Sequence, residues 1–311
     1  MAALICGSLA YDTIMVFPDQ FKNHILPDKV HILNVSFLVP RMRREFGGCA
    51  GNIAYNLKLL GGDPIPMATV GGDFGPYREW FNEQGITLAH VKAIDELFTP
   101  QAFITTDLDN NQITAFHPGA MMRSYENHVK DVPNVSIGIV SPDGYEGMLQ
   151  NATEFHAAGI PFIFDPGQAM PLFNGEELRN FITQADYVTV NDYESNLLQE
   201  RTGWSAQDIA GKVKAYIVTR GPKGAEIHAD GQLHKVPPAH ERRVTDPTGC
   251  GDAFRAGLIF GIEKGYDWMT IGRLGNLMGA LKVEHPGTQN QRFDYDEFAE
   301  QFRQQFGYAL T

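Results

Sequence analysis

Short apolar, β-rich runs alternate with helix-patterned stretches along most of the chain, and this alternation constrains the fold more than any other feature. Ala2–Cys6, Ile65–Val70, Ser136–Val140, Pro161–Phe164, Tyr187–Val190 and Ala215–Thr219 have the length and the apolar content of short buried strands. Between them, Asn52–Leu60, Tyr145–Ala158, Glu176–Gln184 and Glu194–Thr202 carry apolar residues at helical spacing. Strands that are apolar on both faces must be covered on both faces. A parallel sheet between two helical layers does this, so the expected class is α/β with helices on each side of the sheet. After Asp246 the pattern turns helical, over Gly251–Glu263, Met269–Val283 and Asp294–Phe306.

Two stretches interrupt the alternation. Thr13–Phe46 contains the β-branched run Ile32–Val39 and no helix pattern. Gln101–Asp107 and Gln112–His117 flank Leu108–Asn111, whose Asp and two Asn residues suit a hairpin turn. Both stretches are expected as strands outside the main sheet. Together they would form a small β-rich lid, built from insertions at about 13–46 and 98–121, on a single domain spanning 1–311.

Composition excludes several classes. The 311 residues carry 25 Lys+Arg against 37 Asp+Glu, a formal charge of −12, which disfavours a sequence-independent nucleic-acid binder. Cys6, Cys49 and Cys250 are too few and too scattered for a disulfide framework or a zinc site, and they suggest a reducing compartment. The ten His residues show no metal-ligand spacing. The first residues lack the basic start of a signal peptide, and no apolar run approaches a membrane span. A cytoplasmic protein with no membrane partner, monomeric or homodimeric, is the expectation.

The strongest chemical signal is Asp246-Pro247-Thr248-Gly249-Cys250-Gly251-Asp252-Ala253-Phe254. Its glycines allow close backbone approach, and a helix pattern starts at once. Unpaired N–H groups and the positive end of a helix dipole would therefore meet at one point, a ready anion site. Asp252, in the first turn, is positioned to take a proton from an attacking hydroxyl. Taken alone, the segment also fits a helix cap with a flexible turn. Gly47-Gly48-Cys49-Ala50-Gly51-Asn52-Ile53-Ala54 again runs glycines into a helix, and in isolation fits a tight turn before a core helix equally well. The chain contains no Walker loop.

Read together, these segments resemble the PfkB carbohydrate kinases, the family of ribokinases and adenosine kinases. Asp246–Asp252 is similar to that family's D-T-x-G-A-G-D signature, and Gly47–Ala54 to its G-G-x-x-x-N-x-A signature. Gly7-Ser8-Leu9-Ala10-Tyr11-Asp12 resembles its first-strand G-S-x-x-x-D, and Asn191-Asp192-Tyr193-Glu194 its N-x-x-E element. Thr219-Arg220-Gly221-Pro222-Lys223-Gly224 resembles its T-x-G-x-x-G nucleotide loop. The five segments fall in the family's order over nearly the whole chain. The departures are Pro247 for Thr, Cys250 for Ala and Gly51 where ribokinases usually have Ala.

The resemblance implies a ribokinase-like three-layer αβα sandwich and ATP-dependent phosphorylation of a hydroxyl. Asp252 would be the base, and the amides of Gly249, Cys250 and Gly251 would hold the transferred phosphoryl group. Asp12 and Asn52 would hold sugar hydroxyls, with Gly47 and Gly48 letting the ring lie against the backbone. Asn191 and Glu194 would act on Mg²⁺, Glu194 through water, because that ion keeps much of its hydration shell. Thr219, Gly221 and Gly224 would line the ATP phosphate and ribose end, and Asn276 the adenine pocket. Backbone carbonyls near Asp246 and Thr248 and after Glu284 would bind a monovalent cation such as K⁺. Asp165-Pro166-Gly167 is pocket-adjacent with no assigned role.

The acceptor is harder to read. Phe116-His117-Pro118-Gly119-Ala120-Met121 resembles a segment of the family's nucleoside and adenosine kinases, with Phe116 against the acceptor. Phe17, Phe21 and Phe37 supply aromatic surface on which a purine could stack, or else form the lid's own small core. Arg41-Met42-Arg43-Arg44 could bind the phosphate of a sugar phosphate, or be a solvated basic turn. The expected acceptor is a nucleoside, adenosine first. A sugar or sugar phosphate, or a non-catalytic nucleotide-binding regulator, is the alternative.

Overall fold

A computed structural model describes residues 2–25, 32, 34–109 and 111–310 of the protein. In chain order the elements begin with β1 (Ala2–Cys6), β2 (Ala10–Val16), β3 (Arg41–Gly47), α1 (Cys49–Leu59), β4 (Pro64–Gly71), α2 (Gly75–Glu83) and β5 (His90–Ile94). There follow β6 (Gln101–Thr106), β7 (Gln112–His117), β8 (Val135–Val140), α3 (Tyr145–Ala158), β9 (Phe162–Phe164), α4 (Gly175–Gln184) and β10 (Tyr187–Asn191). Next come α5 (Asp192–Thr202), α6 (Ala206–Ala210), β11 (Ala215–Thr219), β12 (Ala225–Ala229) and β13 (Gln232–Val236). Three helices close the chain: α7 (Cys250–Lys264), α8 (Trp268–Val283) and α9 (Tyr295–Phe306).

Among the described residues the strands fall into two sheets. Nine lie in the order β13-β12-β11-β10-β9-β8-β1-β4-β5, and four in the order β3-β2-β6-β7. The large sheet is parallel from β5 to β11 and ends in the antiparallel pair β12 and β13. Its central strands are buried on both faces, β1 and β9 along their whole length, which is why they read as apolar runs without alternation. One helical layer, with α1, α7 and α8, packs against one face around Ile53, Leu258 and Leu274. The other, with α3, α4 and α5, covers the opposite face around Phe155, Phe181 and Leu198. This is the ribokinase-like three-layer arrangement.

The small sheet differs from the sequence expectation in two strands: β2 starts at Ala10, ahead of the expected lid and not read as a strand, and the β-branched run is not the strand beside it. Residues 34–39 of the β-branched run carry no regular structure, and Leu33 lies outside the described residues. The strand is Arg41–Gly47 instead, paired antiparallel with β2. The Arg-rich run is thus a strand and not a solvated turn. Its first four residues are exposed, so no apolar alternation marks it. Phe17, Phe21 and Phe37 stack on one another, with centroids 4.8 to 5.8 Å apart, and Phe17 and Phe21 are buried. They form a core for this part of the chain rather than a platform for a purine.

Candidate active site

The predicted residues gather at the carboxyl ends of the parallel strands, where open α/β sheets bind ligands. α7 starts there. Gly249 caps it in the left-handed region at φ 79°, and Gly48 caps α1 at φ 84°; both conformations favour glycine. Gly47 ends β3, and its carbonyl accepts the Tyr77 hydroxyl at 2.8 Å. Among the described residues the amides of Gly249 and Gly251 meet no acceptor, whereas that of Cys250 donates to Pro247 O at 3.2 Å. Two of the three predicted anion-binding amides therefore point free at the helix start.

Two cavities meet at this point. The larger, about 900 Å³, holds Asp12, Gly48, Asn52 and Asp252 on a polar side and Ile104, Phe116, Met121 and Leu172 on an apolar one. The smaller, about 310 Å³, is lined by Gly224, Pro238, Phe254, Asn276 and Ala280. Thr219, Gly221, Pro247, Cys250 and Gly251 belong to both. A nucleotide in the small cavity would deliver its phosphate end to the α7 N-terminus, and an acceptor in the large one would reach the same point. Asn276 also donates to Pro237 O at 2.7 Å.

Asp252 is the electrostatic centre. Burial pushes its carboxyl up to about 7, against the pull of the Arg255 charge and of Asn52 Nδ2, which donates to it at 2.8 Å. A carboxylate ionising near neutrality is suited to accept a proton at neutral pH. Asp12, half-buried on β2, is pushed up to about 6 by burial and by the Glu45 and Asp246 charges. In sheet register Asp12 sits between Glu45 on β3 and Ala102 on β6, and Ala102 is opposite Phe116 on β7. These four form one row across the sheet and share a face.

Asn52 is held from behind by a buried chain. Gln289 Nε2 donates to Asn52 Oδ1 at 3.1 Å and to the Tyr77 hydroxyl at 2.6 Å, and Trp80 Nε1 donates to Gln289 Oε1 at 2.9 Å. A Cβ on Gly51 would come within 2.0 Å of that Tyr77 hydroxyl. The departure at Gly51 thus makes room for the tyrosine. Sequence reasoning missed Tyr77, Trp80 and Gln289.

It also missed Arg255. One turn after Asp252, its guanidinium grips Asp165 with both Nε and Nη2, the latter at 2.6 Å, and both side chains are buried. Burial works against the Arg255 charge, but Asp165 outweighs it and raises the pKa. This gives the Asp165-Pro166-Gly167 segment a structural meaning: it neutralises the cation beside the candidate base. Asp143 is a further buried carboxyl of the large cavity, pushed up to about 8 by burial.

Asn191 and Glu194 form a reciprocal capping box at the start of α5: Glu194 N donates to Asn191 Oδ1 at 2.7 Å and Asn191 N to Glu194 Oε2 at 2.8 Å. Glu194 Oε1 is left over beside the large cavity, and burial raises this carboxyl above its usual range. Among the described residues no three His, Cys, Asp or Glu side chains converge as a metal cage. Mg²⁺ fits such a site, because it keeps several waters and needs one carboxylate and substrate phosphates.

The monovalent cation does not fit. The Asp246 carbonyl accepts the Lys282 ammonium at 2.7 Å, and the His285 carbonyl accepts it at 3.1 Å. An ammonium thus already sits between two of the carbonyls on which K⁺ was expected, those of Asp246 and His285. The Asp246 carboxylate is engaged as well, accepting from Thr248 N and Gly287 N at 2.9 Å each; burial opposes these bonds, yet they hold its pKa below the usual range. Arg43 lies 3.5 Å from Glu45 and 3.8 Å from Asp246, so this part of the basic run is already opposed by carboxylates.

The model of the pfkB family of carbohydrate kinases matches residues 11–293. The chain is 32% identical over 273 residues to a nucleoside kinase of Methanocaldococcus jannaschii, covering 86% of this chain and 88% of the relative. It is 30% identical to a nucleoside kinase of Methanothermobacter thermautotrophicus, over 98% and 96% of the two chains. Among solved structures, Burkholderia thailandensis nucleoside kinase in complex with inosine superposes with a TM-score of 0.91 at 52% identity, covering 99% of each chain. Among the described residues no helix is long and apolar enough to cross a membrane. On this sequence match and this shared fold, the chain belongs to the pfkB family of carbohydrate kinases, phosphotransferases with an alcohol group as acceptor.

Proposed function

We propose that the protein transfers the γ-phosphoryl group of ATP to the 5′-hydroxyl of a nucleoside, with purine ribonucleosides as the first candidates. The observation that carries the acceptor class is the row containing Asp12 and Phe116. Two strand spacings of about 4.8 Å separate a carboxylate from a ring, roughly the span from ribose hydroxyls to a base. Phe116 is 52% exposed and Leu172 58%; a flat base would cover both, and a free sugar would not. The relatives named nucleoside kinases, one of them in complex with inosine, support the same reading. Inosine therefore joins adenosine at the head of the candidates.

In this reading Asp252 removes the proton of the 5′-hydroxyl as its oxygen bonds to the γ-phosphorus. The bond from that phosphorus to the bridging oxygen breaks, ADP leaves with the electron pair, and the proton stays on Asp252 until it exchanges with solvent. Gly249 and Gly251 amides stabilise the charge on the transferred group. Asn52 orients Asp252, and Asp12 accepts from the ribose hydroxyls. Mg²⁺, when bound, neutralises phosphate charge, and Glu194 would hold it through water. Thr219, Gly221, Gly224 and Asn276 would take the nucleotide. The small sheet would act as a lid that excludes water.

Arg43 argues against a sugar phosphate, since its charge already faces Glu45 and Asp246. The test is ADP release with inosine, adenosine, cytidine, ribose, fructose and fructose 6-phosphate. A nucleoside should exceed every sugar in kcat/KM by at least about tenfold. Ribose or fructose 6-phosphate turning over faster than all three nucleosides would refute the acceptor class.

A further inference from the structure

Lys282 lies in the last turn of α8 with a side chain that is 0% exposed, a rare position for an ammonium. Its two acceptors are backbone carbonyls from different loops. Asp246 opens the segment that turns at Gly249 into the free amides of α7. His285 opens the segment carrying Thr288, whose hydroxyl donates to Phe46 O, and Gln289, which holds Asn52. One charge therefore ties together the two loops that flank the point of transfer. The other charges felt there are the Asp246 and Glu45 carboxylates and Arg43, with the Cys250 thiol close by. Burial lowers the ammonium's pKa, and Asp246 works in the opposite direction.

We propose that Lys282 is a built-in cation: its ammonium occupies the place of a monovalent metal ion between the Asp246 and His285 carbonyls, and the enzyme needs no free potassium. Carbonyl oxygens that replace a hydration shell are the usual protein ligands of K⁺, and an ammonium of similar size satisfies them by donating hydrogen bonds. Tethering changes the thermodynamics. A free ion leaves on dilution, whereas a covalently held one is present at a fixed, high effective concentration. Lys282 touches no reacting atom. It is a positioning residue that fixes the loop before Gly249.

The experiment measures ADP release with inosine in tetramethylammonium salts, to which potassium, sodium or ammonium is added. Parent turnover should vary by less than about twofold. Lys282→Ala should lower kcat about 10- to 100-fold with the inosine KM little changed, and potassium or ethylammonium should recover most of the loss. Lys282→Met fills the space without charge, so it should lose as much and recover nothing. Melting without acceptor gives an independent readout, because this inference rests on the family's phosphotransfer and not on the nucleoside reading. Ethylammonium should raise the melting temperature of Lys282→Ala and leave the parent unmoved. Several-fold activation of the parent by potassium would overturn the proposal, and that arm needs no variant. So would parental turnover in Lys282→Met, or a folded Lys282→Ala that no cation restores.

Discussion

The Asn52–Asp252 hydrogen bond makes a prediction that pH can read. Burial raises the Asp252 carboxyl to about 7, and the 2.8 Å bond from Asn52 Nδ2 opposes that rise by favouring the charged form. With the base protonated below its pKa, kcat/KM should fall about tenfold per pH unit on the acid side of 7. Asn52→Ala removes the donor. A hydrogen bond to a charged group contributes roughly 1.5–3 kcal/mol, and one pKa unit corresponds to about 1.4 kcal/mol, so the inflection should climb by about one to two units. The direction follows from which form loses its partner: the carboxylate does, so protonation becomes easier. At pH 7, where the parent's base is already half protonated, the variant should be roughly 5- to 50-fold slower, and by pH 9.5 the gap should nearly close. The assay is ADP release at limiting acceptor from pH 5.5 to 9.5, where kcat/KM reports the group before the acceptor binds. An inflection that stays put or moves to acid in Asn52→Ala would refute this account of Asp252, as would a parent profile flat down to pH 5.5.

Asp252→Asn should lower kcat by roughly 10²–10⁴. Because the folded pKa lies above the unfolded one, the buried charge costs stability progressively from about pH 4 to 7 and in full above 7, so the variant should melt a few degrees higher than the parent at pH 8 and no higher near pH 4. Arg255→Met leaves Asp165 buried without its partner and should destabilise by about 3–5 kcal/mol in urea, whereas Arg255→Met with Asp165→Leu should recover most of that loss. Gly51→Ala would drive a methyl to within 2.0 Å of the Tyr77 hydroxyl, whose bonds to Gly47 and Gln289 together are worth roughly 1–3 kcal/mol. It should lower kcat/KM and the melting temperature together, and Tyr77→Phe beside it should restore stability more than turnover.

What the sequence revealed depended on how each strand is buried. β1, β10 and β11 are covered on both faces and carry a continuous apolar signal. β3 is exposed over most of its length and β5 is a half-exposed edge, so neither shows a period. β7 is exposed throughout yet was legible, because the turn chemistry of Leu108–Asn111 marked it. α2 buries only Tyr77 and Phe81, one turn apart, which is too little for a periodic pattern.

In the site, the legible residues act through their own local backbone. Gly249 and Gly251 supply amides, and Gly48 and Gly249 supply turns that the next few residues complete, so a short motif contains the whole device. The illegible residues act through where the chain returns. Arg255 meets Asp165 across 90 residues, and Gln289 meets Tyr77 across 212. Lys282 has an ordinary explanation in sequence, a cation in the last turn of a helix where the dipole favours it. Only the fold brings the Asp246 carbonyl within 2.7 Å of its ammonium. The two kinds of residue divide the work by range: local ones bind the phosphoryl group, and distant ones set the charge and orientation of Asp252 and the loop before it. A substitution in the first group should therefore act chiefly on binding and the transition state, and one in the second should act through pH dependence, cation response or stability.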